Sequence, residues 1–227
     1  LAVSLALSLP EAQLVDADAE EPNVHLFLGP VIDETIPVSM MIPEIDADRC
    51  TGCGKCAEFC RFNAMAVVKN KVLVFPEICH GCGGCAYVCP EGAIELEETE
   101  AGRWFVSDTP YGPMVHAKLG VAQENSGKLV TMVRQQARLL AEEKGFDLII
   151  TDGPPGIGCP MISAISGADM ALVVTEPTLS GIHDMERVAD VTKHFKINTK
   201  VVINKYDINL KILRRVRQKL QESRFEQ

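Results

Sequence analysis

Along most of the chain, short apolar runs alternate with segments in which apolar residues recur every three or four positions. Continuous apolar runs are typical of parallel strands buried on both faces. Four such runs predict strands at 13–16, 147–151, 170–174 and 200–203. The helical spacing predicts helices at 1–9, 126–144, 180–194 and 210–221. Strands that alternate with crossover helices predict an α/β fold with a doubly wound, mostly parallel sheet.

Residues 45–98 interrupt this alternation. They contain two similar halves, each with a cysteine run followed by an apolar stretch, and so form an internal repeat. Strand-like segments follow at 103–106 and 114–117, after which the alternation resumes. We therefore predict one α/β domain formed by residues 1–44 and 99–227, with a second domain, residues 45–98, inserted into it.

Eight of the nine cysteines form two copies of one spacing, C-x2-C-x2-C-x3-C. The first copy contains Cys50, Cys53, Cys56 and Cys60, and the second contains Cys79, Cys82, Cys85 and Cys89. This spacing is that of a two-cluster bacterial ferredoxin, a small α+β domain, in which the fourth cysteine of each run ligates the other cluster. The pattern thus implies two 4Fe–4S clusters with crossed ligands, one set being Cys50, Cys53, Cys56 and Cys89, and the other Cys79, Cys82, Cys85 and Cys60.

Two other chemistries could use closely spaced cysteines. Zinc knuckles need one tetrahedral set each and do not require the fourth cysteine at the x3 spacing. A disulfide framework suits a secreted chain, and nothing in the sequence indicates secretion. The first run departs from the ferredoxin pattern because Arg61 follows Cys60, whereas Pro90 follows Cys89. That change keeps the ligands but can alter the potential or the exposure of the cluster that Cys60 completes.

Charge and hydropathy exclude several classes of function. A net charge of −9 argues against a general nucleic-acid binder. No apolar run reaches the ~18 residues that a membrane span needs. Iron-bound thiolates fit the reducing cytoplasm, so we expect a cytoplasmic protein. The apolar start of the chain resembles a signal-peptide core but lacks a basic region before it, and we interpret it as a helix that begins before Leu1.

Three polar motifs follow predicted strands, at the sheet edge where ligands of α/β proteins bind. Asp16 and Asp18 follow the first strand, the segment 152–156 (Asp-Gly-Pro-Pro-Gly) follows the second, and the segment 204–207 (Asn-Lys-Tyr-Asp) follows the last. A carboxylate there can hold Mg²⁺ through water, a glycine N–H can approach a phosphate, and an asparagine can bind a base edge. Each motif also has a structural interpretation, as helix caps, a rigid turn or a strand terminator.

In this order around the cysteine runs, the motifs resemble those of the MinD/ParA/Mrp superfamily of deviant-Walker P-loop ATPases. The resemblance is greatest to the branch with an inserted ferredoxin domain, often labelled as similar to cobyrinic acid a,c-diamide synthase. It implies that Asp18, or Asp16, is the switch carboxylate near the attacking water and that Asp152 lies on the Mg²⁺ side. It also implies that Gly156 senses the γ-phosphate, and that Asn204 contacts adenine with Asp207 nearby.

The resemblance further implies ATP or ADP, Mg²⁺ and two 4Fe–4S clusters as cofactors of a Mg²⁺-dependent ATPase. The superfamily's phosphate loop would lie immediately before Leu1, so we expect the printed chain alone to bind ATP poorly and to be inactive. The predicted function is ATP hydrolysis coupled to electron transfer, and the alternative is an ATP-dependent carrier or assembly protein for iron–sulfur clusters or other metallocofactors. The expected partners are a redox protein or a metallocofactor acceptor, and a second copy or a paralogue in a dimer.

Five further residues invite specific expectations. We expect Cys159 to be a small buried apolar residue, the alternative being a ligand for an exogenous metal or for a cluster that bridges a dimer. Trp104 is expected in the core. His80 is expected to donate to a cluster sulfur, and His116 and His183 are expected to be structural hydrogen bonders.

Overall fold

The chain divides into two units, Leu1–Asp152 and Gly153–Gln227. The structure, a computed structural model, describes residues 1–9, 12–120 and 126–223. No helix in the described ranges is both long enough and apolar enough to cross a membrane.

The first unit is built on a five-stranded mixed sheet. Its strands are β1 (Ala12–Asp16), β2 (Val31–Ile45), β5 (Ile94–Thr109), β6 (Gly112–Leu119) and β7 (Leu148–Asp152). Their order in the sheet is β2-β5-β6-β1-β7. β1 runs parallel to β6 and β7, whereas β5 is antiparallel to β2 and β6. Three helices pack on this sheet: α1 (Ala2–Leu7), α2 (Val24–Leu28) and α5 (Ser126–Lys144).

The core of the first unit lies against the central strands. Leu14 of β1 and Met114 of β6 form a buried cluster with Val24 and Leu28 of α2, and α1 packs against this cluster. Trp104 is 8% exposed, which confirms its predicted place in the core. α5 contributes a continuous buried stripe to the same unit: Leu129, Val130, Val133, Ala137 and Leu140.

The cysteine-rich segment lies between the far ends of β2 and β5, where Ile45 pairs with Ile94. It contains α3 (Lys55–Phe59), β3 (Met65–Val68), β4 (Lys71–Val74), a 3₁₀ turn (Pro76–Ile78) and α4 (Gly84–Val88). The antiparallel pair β3–β4 packs with the short helices around Cys56, Met65 and Ile94. The segment thus leaves and rejoins the sheet at one place, while the domain boundaries at 45–98 remain a prediction.

The second unit has a parallel strand–helix–strand arrangement. Its elements are α6 (Cys159–Ile165), β8 (Met170–Thr175), α7 (Leu179–His194), β9 (Asn198–Ile203) and α8 (Leu210–Ser223). β8 and β9 are parallel neighbours. Val173, Ile182, Met185, Val216 and Leu220 form the buried core between these strands and the helices α7 and α8.

The predicted α/β class is confirmed, with two differences of detail. The segments predicted as short strands at 103–106 and 114–117 are parts of the longer antiparallel strands β5 and β6. The runs in β7 and β8 are not buried on both faces, since Ile149 is 36% exposed and Val174 is 47% exposed. Within the first unit β7 pairs with β1, and within the second unit β8 pairs with β9.

Candidate functional site

The eight cysteines of the two runs line two separate cavities. Four of them line the first cavity: Cys50, Cys53, Cys56 and Cys89. The other four line the second cavity: Cys60, Cys79, Cys82 and Cys85. Each cavity receives three thiols from one run and the fourth from the other, which is the crossed grouping that the ferredoxin pattern implies. The role of these thiols as cluster ligands remains a proposal.

Glycines let the backbone turn around each cavity. Gly52 has φ of +67°, and a Cβ there would lie 2.5 Å from the carbonyl oxygen of Asn70, so both conformation and space require glycine. Gly81 occupies the same place in the second run, and its N–H donates to the Cys79 sulfur at 3.4 Å. The N–H of Ala93 donates to the Cys89 sulfur at 3.3 Å. Such amide donors stabilise negative charge on ligand sulfurs.

Two of the thiols, Cys56 and Cys79, are buried, and Cys85 is half-buried. Burial raises the pKa of Cys56, Cys79 and Cys85 above the ordinary value of 9.0. Metal ligation needs the thiolate, so iron binding here must displace protons from these buried thiols. In the described part of the chain, no three His, Cys, Asp or Glu side chains form a group that could hold a single metal ion. The donor set itself, four sulfurs around a cavity with amide N–H groups pointing at them, fits a 4Fe–4S cluster.

Asp16 ends β1 with a side chain that is only 1% exposed. Its Oδ2 accepts hydrogen bonds from the backbone N–H groups of Asn23 and Val24, both at 3.0 Å, and its Oδ1 accepts from the N–H of Asp18 at 3.1 Å. Burial raises the pKa of Asp16 to about 6, against the opposing effect of these N–H donors. The carboxylate therefore holds the start of α2 in place.

Asp18 and Asp152 lie beside Asp16 at the same edge of the sheet. Asp152 ends β7 directly opposite Asp16, and its carbonyl oxygen accepts a hydrogen bond from Ala17 at 2.8 Å. Burial raises the pKa of Asp152, and the nearby Asp18 carboxylate adds to that effect. Asp18 is half-buried and accepts from the N–H of Glu21 at 3.2 Å. The structure thus brings the three predicted carboxylates together at the carboxyl ends of two parallel strands.

The remaining predicted nucleotide residues lie in the second unit. Gly156 has φ of +89°, and no atom would lie within 4 Å of an added Cβ, so conformation rather than space favours glycine. Asn204 follows β9, and its N–H donates to the carbonyl oxygen of Thr175 at 2.8 Å. Asp207 is exposed in the following turn. In the same turn, the Lys205 ammonium pairs with Glu176 at 2.7 Å.

Comparison with known proteins gives one family match and several relatives. A model of the 4Fe–4S dicluster domain matches residues 43–96. An uncharacterised protein of Methanocaldococcus jannaschii is 33% identical over 196 residues, which cover 86% of this chain and 67% of that protein. The septum site-determining protein MinD of Bacillus subtilis is 37% identical over 71 residues, 31% of this chain and 23% of its own length. The chain belongs to the MinD/ParA superfamily of P-loop ATPases, in the group with a dicluster ferredoxin domain.

Two other comparisons extend this set. A second uncharacterised Methanocaldococcus jannaschii protein is 26% identical over 200 residues, 86% of this chain and 70% of its own length. Among solved structures, the MinD cell division protein of Aquifex aeolicus gives a TM-score of 0.46 at 19% identity, covering 99% of this chain and 71% of that one. The dicluster-domain match and the relatives by sequence confirm the predicted identity, an ATPase of this superfamily with a ferredoxin domain.

One expectation about another residue of this iron–sulfur ATPase is wrong. Cys159 is exposed rather than buried, because the short helix α6 buries Met161 and Ala164 instead. The Nδ1 atom of His116 has no hydrogen-bond partner, and the predicted role of His116 as a structural hydrogen bonder stays a prediction. The His116 ring stacks between Phe105 and His25.

The other two histidines with a predicted role, His183 and His80, lie at the surface. His183 is exposed, with its Nδ1 3.5 Å from Asp184. His80 lines the second cavity and stacks on Phe62, with ring centroids 3.7 Å apart. Its predicted role as a donor to sulfur stays a prediction.

Proposed function

We propose that this protein uses ATP binding and hydrolysis to control electron transfer through two 4Fe–4S clusters. The observation that carries the proposal is the continuous structure between the two candidate sites. The chain runs from Asp16 through α2 into β2, and β2 ends at Ile45, shortly before the first cysteine. A segment that responds to nucleotide is thus joined to the cluster-binding segment by a helix and a strand.

On the cluster side, each set of four cysteines would hold one 4Fe–4S cluster, which supplies one-electron transfer when bound. The protein provides the thiolates and the N–H donors of Gly81 and Ala93. In the first cavity, Val72 and Ile94 form apolar walls that limit the access of water. These features stabilise the sulfurs and set their surroundings, which are the means by which a protein tunes cluster potential.

On the nucleotide side, we assign different roles to the three carboxylates. Asp16 is buried and its oxygens already accept three backbone N–H bonds, so it positions the segment that follows. Asp18 is the more accessible and would orient the attacking water. Asp152 would hold Mg²⁺ through the water shell of the ion. Gly156 would donate its N–H to the γ-phosphate, and Asn204, with Asp207, would contact the base.

The second candidate function is an ATP-dependent carrier of iron–sulfur clusters or other metallocofactors. The observation in its favour is that one thiol of each cavity is exposed, Cys53 in the first and Cys82 in the second. Exposed ligand sulfurs are open to exchange with thiols of an acceptor. Incubation with an apo-ferredoxin discriminates the two functions, because an electron carrier retains its clusters through redox cycles and a cluster carrier transfers them.

The test of the first proposal is a comparison of nucleotide states in the full-length protein. Cluster midpoint potentials, and affinity for a soluble redox protein, are measured with no nucleotide, with ADP and with a non-hydrolysable ATP analogue. We expect at least one of the two quantities to change between ADP and the analogue. If neither changes, ATP does not control electron transfer, and the carrier function becomes the better proposal.

We propose further that the working unit is a dimer, either of two copies or with a paralogue, and that it acts in the cytoplasm. The reducing environment there keeps cysteines available as iron ligands. Sedimentation of the cluster-loaded protein with and without nucleotide tests the oligomeric state.

A further inference from the structure

The candidate carboxylates and the cluster-binding segment are connected by a long two-stranded ribbon. β2 and β5 stay paired from Val31 and Asp108 at one end to Ile45 and Ile94 at the other. β2 contains 15 residues, which at ~3.3 Å per residue span about 50 Å. Inter-strand hydrogen bonds connect the two strands along this length, with register shifts between Ile32 and Glu34 and between Val38 and Ser39. The ribbon is therefore a continuous connection from its base to the cysteine segment.

The element at the base of the ribbon is α2, which is too short to be stable by itself. It has five residues, so one turn of its own hydrogen bonds contributes little and tertiary contacts must hold it. Asp16 accepts the N–H groups at its start. Val24 and Leu28 anchor its inner face against Leu14 and Met114. Any change in the hydrogen bonding of Asp16 therefore acts first on the position of α2.

A column of three stacked rings joins α2 to the ribbon. His116 of β6 lies between Phe105 of β5, at 4.7 Å between centroids, and His25 of α2, at 5.6 Å. Phe105 in turn lies opposite Thr35 of β2. We call Phe105, His116 and His25 the ring column. It links the helix that Asp16 holds to both strands of the ribbon.

The chemistry of the ring column is unusual for a simple packing contact. The Nδ1 atoms of His25 and His116 are both buried without a hydrogen-bond partner. A buried polar atom without a partner is destabilising, so apolar side chains would pack here more favourably. Burial lowers the pKa of His116 to about 4, with a further effect of the neighbouring His25, so the ring is neutral and stacks as an aromatic group.

We propose that the ring column is a positioning device that passes movement of the Asp16 segment to the β2–β5 ribbon and so to the cluster-binding segment. The inference rests on the proposed control of electron transfer by ATP, and it names the contacts through which that control acts. In one nucleotide state His25 stacks on His116 as observed, and in the other α2 shifts and the stack is displaced. The two states differ in these contacts, and such a difference is required for coupling between sites.

The test uses the full-length, cluster-loaded protein under anaerobic conditions. Hydrogen exchange of the backbone amides of 31–45 is measured with ADP and with a non-hydrolysable ATP analogue, together with the cluster midpoint potentials. We expect an exchange-rate ratio of about ten in the wild type, within the usual 5–150-fold range of coupling. In His25→Ala the ratio falls to about two or less and the shift in midpoint potential disappears. Iron content and nucleotide affinity stay at wild-type values.

Two further variants make the result specific to the ring. His25→Phe keeps a stacking ring without the buried nitrogens and should retain the wild-type ratio. Leu26→Ala lies on the same helix at a position that is 74% exposed, and it should also retain the ratio. If His25 had only a structural role, His25→Ala would lower the stability of the protein, but the exchange rates would still depend on the nucleotide.

The outcomes separate this inference from the function on which it rests. A wild-type ratio in a folded His25→Ala protein overturns the ring column and leaves ATP control in place. No nucleotide effect in the wild type overturns both. If His25→Ala loses iron or does not fold, Phe105→Leu interrupts the column from the ribbon side. A wild-type ratio in that variant overturns the inference, and a ratio of about two or less supports it.

Discussion

The buried carboxyl of Asp16 should make the stability of the folded protein depend on pH in a measurable way. Burial raises its pKa from an ordinary 3.8 to about 6. The folded protein thus holds this proton more tightly than the unfolded chain does. The stabilising contribution is complete below pH 3.8 and is lost as the pH rises through 6. Because the two pKa values differ by ~2.2, the free energy of unfolding is about 3 kcal/mol lower at neutral pH and above than at low pH on account of this group.

The informative substitution is Asp16→Asn, which is close in size and neutral at every pH. The amide oxygen can still accept from the N–H groups of Asn23 and Val24, but its NH₂ group cannot accept from Asp18, which costs about 1 kcal/mol at all pH values. Linkage then predicts that, between pH 5 and pH 8, the free energy of unfolding of the wild type falls by about 1.4 kcal/mol more than that of the variant. The two stability profiles should therefore converge or cross as the pH rises.

Urea unfolding followed by circular dichroism, under anaerobic conditions at several pH values, measures both profiles. Asp108→Asn, at an exposed position of the same sheet, is the matched control for the loss of one negative charge. Profiles of the wild type and of Asp16→Asn that stay parallel from pH 5 to pH 8 would show that Asp16 has an ordinary pKa in the folded protein. The assignment of Asp16 as a buried positioning residue would then be wrong.

Three other predictions concern the cofactors and the domain boundaries. Anaerobically prepared protein should contain about eight irons by the two-cluster pattern, and Cys60→Ser should disturb only the cluster of the second run. Electron paramagnetic resonance checks both predictions. Tightly bound zinc with little iron would contradict them. In the full-length protein, Asp152→Asn should keep the fold and the clusters but lose most Mg²⁺-dependent ATPase activity, because an amide holds the ion's water shell poorly. Phosphate release at the wild-type rate would remove Asp152 from the site. Deleting residues 45–98 and joining the ends with a short linker should leave a folded α/β domain by circular dichroism, and an unfolded product would refute the boundaries.

Several features of the protein were determined by its sequence alone, because the information for them is local. The spacing of the cysteine runs reflects how a short backbone wraps a cluster, and it predicted the groups of four thiols that the two cavities bring together. Apolar runs predicted β1, β7, β8 and β9, and helical spacing predicted α5, α7 and α8, each to within a few residues. The short polar motifs, read together with the cysteine runs, were sufficient to indicate the superfamily.

Other features were decided only by the tertiary structure, because they depend on which distant strands become neighbours. The sequence left Asp16 and Asp18 as alternatives for one predicted role, and it did not show that Asp16 is buried and bonded to Asn23 and Val24. His25, Phe105 and His116 meet because β6 pairs with both β1 and β5, which no local pattern encodes. The partial exposure of Ile149 and Val174 likewise does not follow from their apolar runs. An apolar run favours burial of its side chains, but whether they are buried depends on which elements of the fold become their neighbours.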